Sequence, residues 1–358
     1  MKPNHLSQFA LMLFFAMGGF YSEVTAQVDS TNTQVQIDSV VINAFDVVQE
    51  ESVTVENITS VQNTIKKPAK YTGPMPCASV NSHNGSLVPV GTYVLIGRYF
   101  NVNKDELLGG SDVIDFISPG VSGFAYQELQ SAFRTGIIKG VDVRLITSIF
   151  EKSIDRLKPD GSEFSDTNTG LGDFKLIGRY GILNQKTGPA NLIAGIGVTI
   201  PVGTTDEVDD AGNLLPGSMQ LGSGSWNPIF ELGFHKINKR HWNSLYTSYM
   251  LATDGELGPH VFKRSSVLKY NYSYAYALNM KLDVGAELNG EVKSKAELNG
   301  VELENTGGHT LFLSPELHYK FTKSVHLGAC IPLTIYQDLN GPQLGGGSMI
   351  VIKFDVKF

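Results

Sequence analysis

Several groups of residues in this chain of 358 amino acids have types and spacings that chemistry can use. One lies near the C-terminus. A hairpin centred on Thr322 would set His318 opposite His326, with Glu316 two residues along on the same face. Directly opposed residues of an antiparallel pair hold their Cβ atoms about 4.5–5.5 Å apart. Two imidazoles and a carboxylate placed this way are candidate ligands for a divalent cation. The competing reading is that both histidines hydrogen-bond to water or to acids, and then no metal is bound. A second group is His241 with Ser244. An outer-membrane lipase needs a serine nucleophile within reach of a histidine base, but residues three apart on a strand point to opposite faces. His83 and Ser86 fall in a polar leader. Gly345-Gly346-Gly347 sits between strands and lacks the helix that lets a glycine loop bind anions. No catalytic residue, no enzymatic activity and no cofactor is expected.

The largest group is a set of charges spread along the chain: Glu128, Arg134, Asp142, Arg144, Lys175, Arg179, Glu231, His235, Lys269, Lys281, Asp283, Glu287, Glu316, His318, Lys320, Lys353 and Asp355. These residues are expected to face the lumen of a barrel and to line a pore. A charged ring sets ion preference by its field and by the hydration that it replaces. Opposite charges on neighbouring strands can instead pair and fill the interior.

Strands must position them. Successive side chains on a strand point to opposite faces, and from Thr92 onward apolar residues recur at every second position. Ile350, Ile352, Phe354, Val356 and Phe358 share one face of the last segment, while Val351, Lys353, Asp355 and Lys357 share the other. Leu268, Tyr270, Tyr272, Tyr274, Tyr276 and Leu278 oppose Lys269, Asn271 and Ser273. Comparable segments run near 280–289, 311–321 and 324–336. Others, less regular, fall near 92–100, 125–138, 140–151, 172–184, 190–202, 226–237 and 239–252.

The total is about twelve strands, most of them long enough to cross a bilayer at barrel tilt. Short connections at 138–140, 184–189, 237–240, around Asn279 and at 321–323 alternate with long ones at 101–124, 152–171, 203–225, 253–262, 291–308 and 338–346. Outer-membrane barrels show this asymmetry, with short periplasmic turns and long outer loops. It predicts an even strand number and both termini on the periplasmic side. The loop Ile138-Lys139-Gly140 puts glycine where a left-handed conformation is needed, and its predicted register pairs Ile137 with Val141.

The alternation has one apolar and one wet face. In a barrel of this size the wet face belongs inside, because the lumen is too wide to fill with side chains and burying unpaired charges would be costly. The tyrosines at 270–276 then belong near the lipid interfaces. Charged residues make up 18% of the chain, below the roughly 25% of ordinary soluble domains. The net charge of -7 argues against a nucleic-acid partner.

At the N-terminus, Phe9–Phe20 is an apolar run too short to span a bilayer as a helix. Val24-Thr25-Ala26 follows it, so residues 1–26 read as a signal peptide. Residues 27–85 are polar and contain Lys67-Pro68 and Gly73-Pro74, the composition of a periplasmic leader or partial plug. Residues 86–358 are the barrel. Cys77 and Cys330 lie in stretches expected to be spatially independent, which leaves their pairing open.

Gly170-Leu171-Gly172-Asp173 leading into Phe174–Tyr180, Ala194–Thr204 and Leu221–Pro228 resemble the outer-membrane channel family named after the MetA pathway of phenol degradation. Leu339–Gly347 looks similar too. The resemblance implies an outer-membrane channel or transporter, related to channels for fatty acids and aromatic hydrocarbons. The terminal Phe358 resembles the C-terminal aromatic that the barrel assembly machinery reads. Partners are therefore expected to be outer-membrane lipid, that machinery, and a small solute that the residues do not identify. The reading from a different class is a non-conducting barrel that serves as a scaffold or binds a partner.

Overall fold

The computed structural model describes residues 71–82, 86–116 and 120–358. The expected signal peptide, residues 27–70 of the leader and His83 lie outside the described residues. Thr72–Phe358 forms one compact unit.

The unit is an all-β barrel of twelve antiparallel strands. In chain order they are β1 (Tyr93–Lys104), β2 (Gly120–Ile138), β3 (Val141–Leu157), β4 (Glu163–Leu171 continuing as Phe174–Leu183), β5 (Asn191–Ile200) and β6 (Pro228–Asn238). They continue as β7 (His241–Met250), β8 (Val267–Ala277), β9 (Leu282–Lys293), β10 (Gly308–Lys320), β11 (Val325–Cys330 continuing as Leu333–Leu339) and β12 (Met349–Lys357). Each strand pairs with its neighbours in the chain. β1 also pairs with β12, from Val94 opposite Lys357 to Val102 opposite Met349, and this closes the cylinder. Closure removes the free edge from the barrel itself, as hydrocarbon requires, while Glu163–Leu171 and Leu333–Leu339 each pair on one side alone.

Two strands are interrupted. β4 breaks at Gly172-Asp173. β11 breaks at Ile331-Pro332, where the expected continuous strand 324–336 cannot persist because proline has no N–H to give the ladder. Beyond the break, Leu333–Leu339 pairs with β10 but not with β12.

The wall is apolar outside and polar inside. Outward residues such as Ile196 (66% exposed), Leu129 and Phe354 are bare, whereas Asp142, Asp283 and Glu287 on the opposite face are 0% exposed. A soluble protein has the reverse arrangement; a membrane barrel requires this one. Tyr272 and Tyr274 lie on the outer face, as their register demands.

The connections refine the expectation. Gly140 has φ +83°, the left-handed conformation assigned to it. The register differs, however: Ile138, not Ile137, pairs with Val141, and Ile137 sits in a bulge between Gly136 and Ile138. The turn is thus one residue tighter than predicted. Several of the long connections carry strands of their own. Glu106–Gly109, Asp112–Ile114 and Pro342–Gly345 form one small sheet. Asp254–Leu257, His260–Lys263, Ala296–Leu298 and Val301–Leu303 form another. β3 and the first half of β4 also run on as a paired hairpin beyond the expected strand end.

The lumen as candidate functional site

Register assigns the inner face of each strand. On β3, Asp142, Arg144, Ser148 and Lys152 are buried and Leu145 and Ile149 exposed. On β9 and β10 the buried set is Asp283, Glu287, Ser314, Glu316 and His318. Of the charges expected to face inward, all but Lys281 occupy such positions. Lys281 lies in the turn between β8 and β9, exposed, with its N–H donated to Asn279 Oδ1 at 2.8 Å. The asparagine side chain caps that turn and ends the strand before the lysine is reached.

In the half of the lumen nearer the short connections, the inward charges close on a segment of the chain itself. Residues 76–82 and 87–88 lie in the interior, flanked by exposed residues such as Met75 and Val90. Asp283 Oδ2 accepts the Cys77 N–H at 2.9 Å, Glu316 Oε2 that of Val80 at 3.0 Å, Glu287 Oε1 that of Asn81 at 2.8 Å and Asp142 Oδ2 that of Val88 at 2.8 Å. The cations take the carbonyls. Lys320 Nζ donates to Met75 O at 2.8 Å, and Lys353 Nζ donates to Ala78 O and Ser79 O. Arg98 donates to Val80 O and Ser82 O, each at 2.9 Å, and Arg134 donates to Ser86 O at 2.6 Å. His235 Nε2, stacked on Trp242, lies 2.9 Å from Ser86 Oγ.

Buried charges need such partners, because an ion taken out of water without them is strongly destabilised. Asp142 shows how complete the pairing is: besides Val88 it accepts hydrogen bonds from Arg134 and from two nitrogens of Arg179. Cys77 and Cys330 are both buried and both free. They are not as independent as expected, since Cys330 packs with Val80, three residues from Cys77.

The other half of the lumen is different. Glu291 holds Lys269 at 3.1 Å and also Lys293, yet the Lys269 side chain is 61% exposed and that of Lys293 43%. Cross-strand register lines up Glu231, Ser248, Lys269 and Glu291 on one inward row. Glu231 there pairs with Arg144 and accepts from Tyr246 Oη at 2.6 Å. Glu128 accepts from Ser148 and Gln130.

Over this half folds the connection 203–225. Lys152 Nζ donates to Ser218 O and Gln220 O, and Asn168 donates to Met219 O. Met219, fully buried, packs with Leu215 against Ile154, with Phe124 alongside. Asp173 fastens the base of the loop: its carboxylate accepts Val202 N, Gly203 N, Ser223 N and Ser223 Oγ. Burial pulls the nearby Arg264 guanidinium, outside the strands, below its ordinary value, and Asp173 opposes that shift. Gly203 and Gly222 pass so closely that a Cβ on Gly222 would fall 2.1 Å from Gly203 O. Three of the four stretches that resemble a known family therefore meet at one place, the anchor of an inward-folded loop.

The proposed metal site is corrected. Lys320, not His318, pairs with His326, and His318 pairs with Gly328. The turn is centred one residue further on, because Thr322 Oγ1 accepts the N–H groups of Ser324 and Val325 and so lengthens the loop. His318 then lies 3.5 Å from Glu316, and His326 3.4 Å from Asp355. His241 and Ser244 are on opposite faces, the first exposed and the second buried. Sequence reasoning missed Arg98, Lys152 and Glu291. Arg98 was recoverable from parity, since Leu95, Gly97 and Tyr99 share the outer face. Glu291 was lost because the strand was ended at 289. The acceptors and donors of the leader backbone carry no residue signature at all.

Known proteins resemble this architecture to different degrees. The crystal structure of the COG4313 outer membrane channel from Pseudomonas putida F1 superimposes with a TM-score of 0.59 at 13% identity, covering 78% of this chain and 100% of that one. The P. putida toluene transporter TodX aligns with a TM-score of 0.39 at 11% identity, over 76% of this chain and 91% of that one. No curated protein matches. The family described as MetA-pathway of phenol degradation matches residues 92–354, from the first strand to the last. The chain belongs to that family and has the fold of an outer-membrane β-barrel.

Proposed function

We propose that this chain is an outer-membrane channel through which small solutes cross passively, with residues 72–82 and 86–90 acting as its plug. The observation that carries the reading is the division of a closed, polar-lined barrel into a solvated half and a half filled by the leader. A solvated row of charge suits passage of polar or weakly polar solutes. The family's description makes phenols the first to test: Tyr126, Tyr246 and Lys269, on inward positions, offer ring edges and hydrogen bonds to a hydroxyl. Both termini and the short turns are assigned to the periplasmic side, with residues 1–26 removed on export. The exposed Phe358, whose backbone pairs with Tyr93 in both directions, is assigned to the assembly machinery.

The same filled half also favours the second reading, a sealed barrel serving as a scaffold. Planar-bilayer recording separates the two. The full-length protein is expected to give rare, small conductance steps. A full-length variant with Val80→Pro and Val88→Pro, which lacks two of the donated N–H groups, is expected to give frequent, larger ones. Silence from both at good incorporation supports the scaffold.

A further inference from the structure

The contacts between wall and leader have a property that a simple stopper does not need. They run mostly to the main chain: acids accept peptide N–H groups and cations donate to peptide carbonyls. Among the described residues, leader side chains hydrogen-bond to the wall at Ser79 with Ser273 and Ser86 with His235. A site that selected this particular sequence would grip its side chains. Most polar contacts here fall instead on groups that every peptide carries at every residue, with the Val80 side chain also packed against Cys330 and Val351.

The wall is also cleared along the track. A Cβ on Gly136 would fall 2.4 Å from the Pro89 carbonyl carbon, on Gly181 2.7 Å from Leu87 Cδ1, and on Gly328 2.9 Å from Val80 Cγ2. Backbone strain does not explain these glycines, because none of the three has a positive φ. They make room for a chain in the lumen. When the leader leaves, Asp283, Glu287, Glu316, Arg98 and Lys353 lose partners of both signs together. A ligand that carries both donors and acceptors, as a peptide backbone does, restores them in place of water.

We propose that the short-connection half of the lumen is a binding site for peptide backbone, occupied here by the chain's own residues 75–82 and 86–88 and able to take other peptides in their place. The leader is held on the same chain at an effective concentration in the millimolar range. Free peptide at lower concentration therefore competes only when the leader's own contacts are weakened. The inference rests on the plug reading above and extends it from occlusion to ligand class.

The test uses the full-length Val80→Pro/Val88→Pro variant, with its barrel confirmed by heat-dependent gel mobility. Three synthetic peptides are added: a copy of residues 75–88 with serine for Cys77, a scrambled order of the same residues, and the copy N-methylated at the positions of Cys77, Val80, Asn81 and Val88. Binding is read by fluorescence anisotropy in detergent and block by single-channel current. The native and scrambled peptides are expected to bind within about threefold of each other, and the N-methylated one at least about tenfold more weakly, as loss of hydrogen bonds to charged groups requires. Binding by the native peptide alone, or by none, overturns the proposal. A variant that conducts no better than the parent yet binds scrambled peptide refutes the plug as the barrier to current but leaves the peptide site standing.

Discussion

The two halves of the lumen are built from the same residue types and behave as different materials. Near the short connections, Asp142, Asp283, Glu287, Glu316 and Lys353 are withdrawn from solvent, and each holds the leader or a partner that holds it. Near the long connections, Lys269 and Lys293 share one carboxylate and remain open to water. The difference teaches that a charge facing the lumen has no fixed role. Whether it is a structural strut or part of a conduit depends on what stands opposite, and in the first half that is a peptide.

Substitutions in either half separate the two behaviours. The proline pair at Val80 and Val88 removes donors to Glu316 and Asp142 and is expected to raise single-channel conductance several-fold. Alanine at the same positions keeps both N–H groups and is expected to leave the current near that of the parent. Asp142→Asn strands the Arg134 and Arg179 guanidinia in a buried site. Breaking such a group should lower barrel stability by about 3–5 kcal/mol, read as an earlier urea midpoint in heat-modifiability gels. Ile196→Arg, on the outer face, should cost about 2–4 kcal/mol if that position lies near the bilayer midplane. Lys269→Ala in the solvated half should change stability by less than about 0.5 kcal/mol. It should instead shift ion selectivity toward cations, measured as reversal potential in a salt gradient.

How much of this was legible beforehand differs between the same two regions. The wall was readable because a period of two reports directly which side of a strand each residue takes. Strands such as β8, with its tyrosines out and Lys269, Asn271 and Ser273 in, needed no further information. Register at the turns was less readable. One bulged residue at Ile137 and one side-chain cap at Thr322 each moved the pairing, and the second dissolved the histidine pair. The leader's role was hardly readable at all. Its Ser, Thr, Asn and Gln content marks a chain without a core of its own, and nothing in side-chain pattern says that acids on distant strands will accept its backbone N–H groups. The family stretches at 170–180, 194–204 and 221–228 showed where resemblance lay. Their purpose, the Asp173 anchor, appears only once the loop is folded.

Cysteine accessibility tests the central contrast most directly. The full-length Lys269→Cys variant in a Cys330→Ser background carries one introduced thiol in the solvated half beside the native Cys77, 8% exposed in the filled half. With a water-soluble maleimide on the folded protein in detergent micelles, the introduced thiol should label within minutes and Cys77 only after heating unfolds the barrel. Equal labelling of the two before heating would mean that the leader does not occupy the lumen, and the account of this molecule as a half-filled barrel would be wrong.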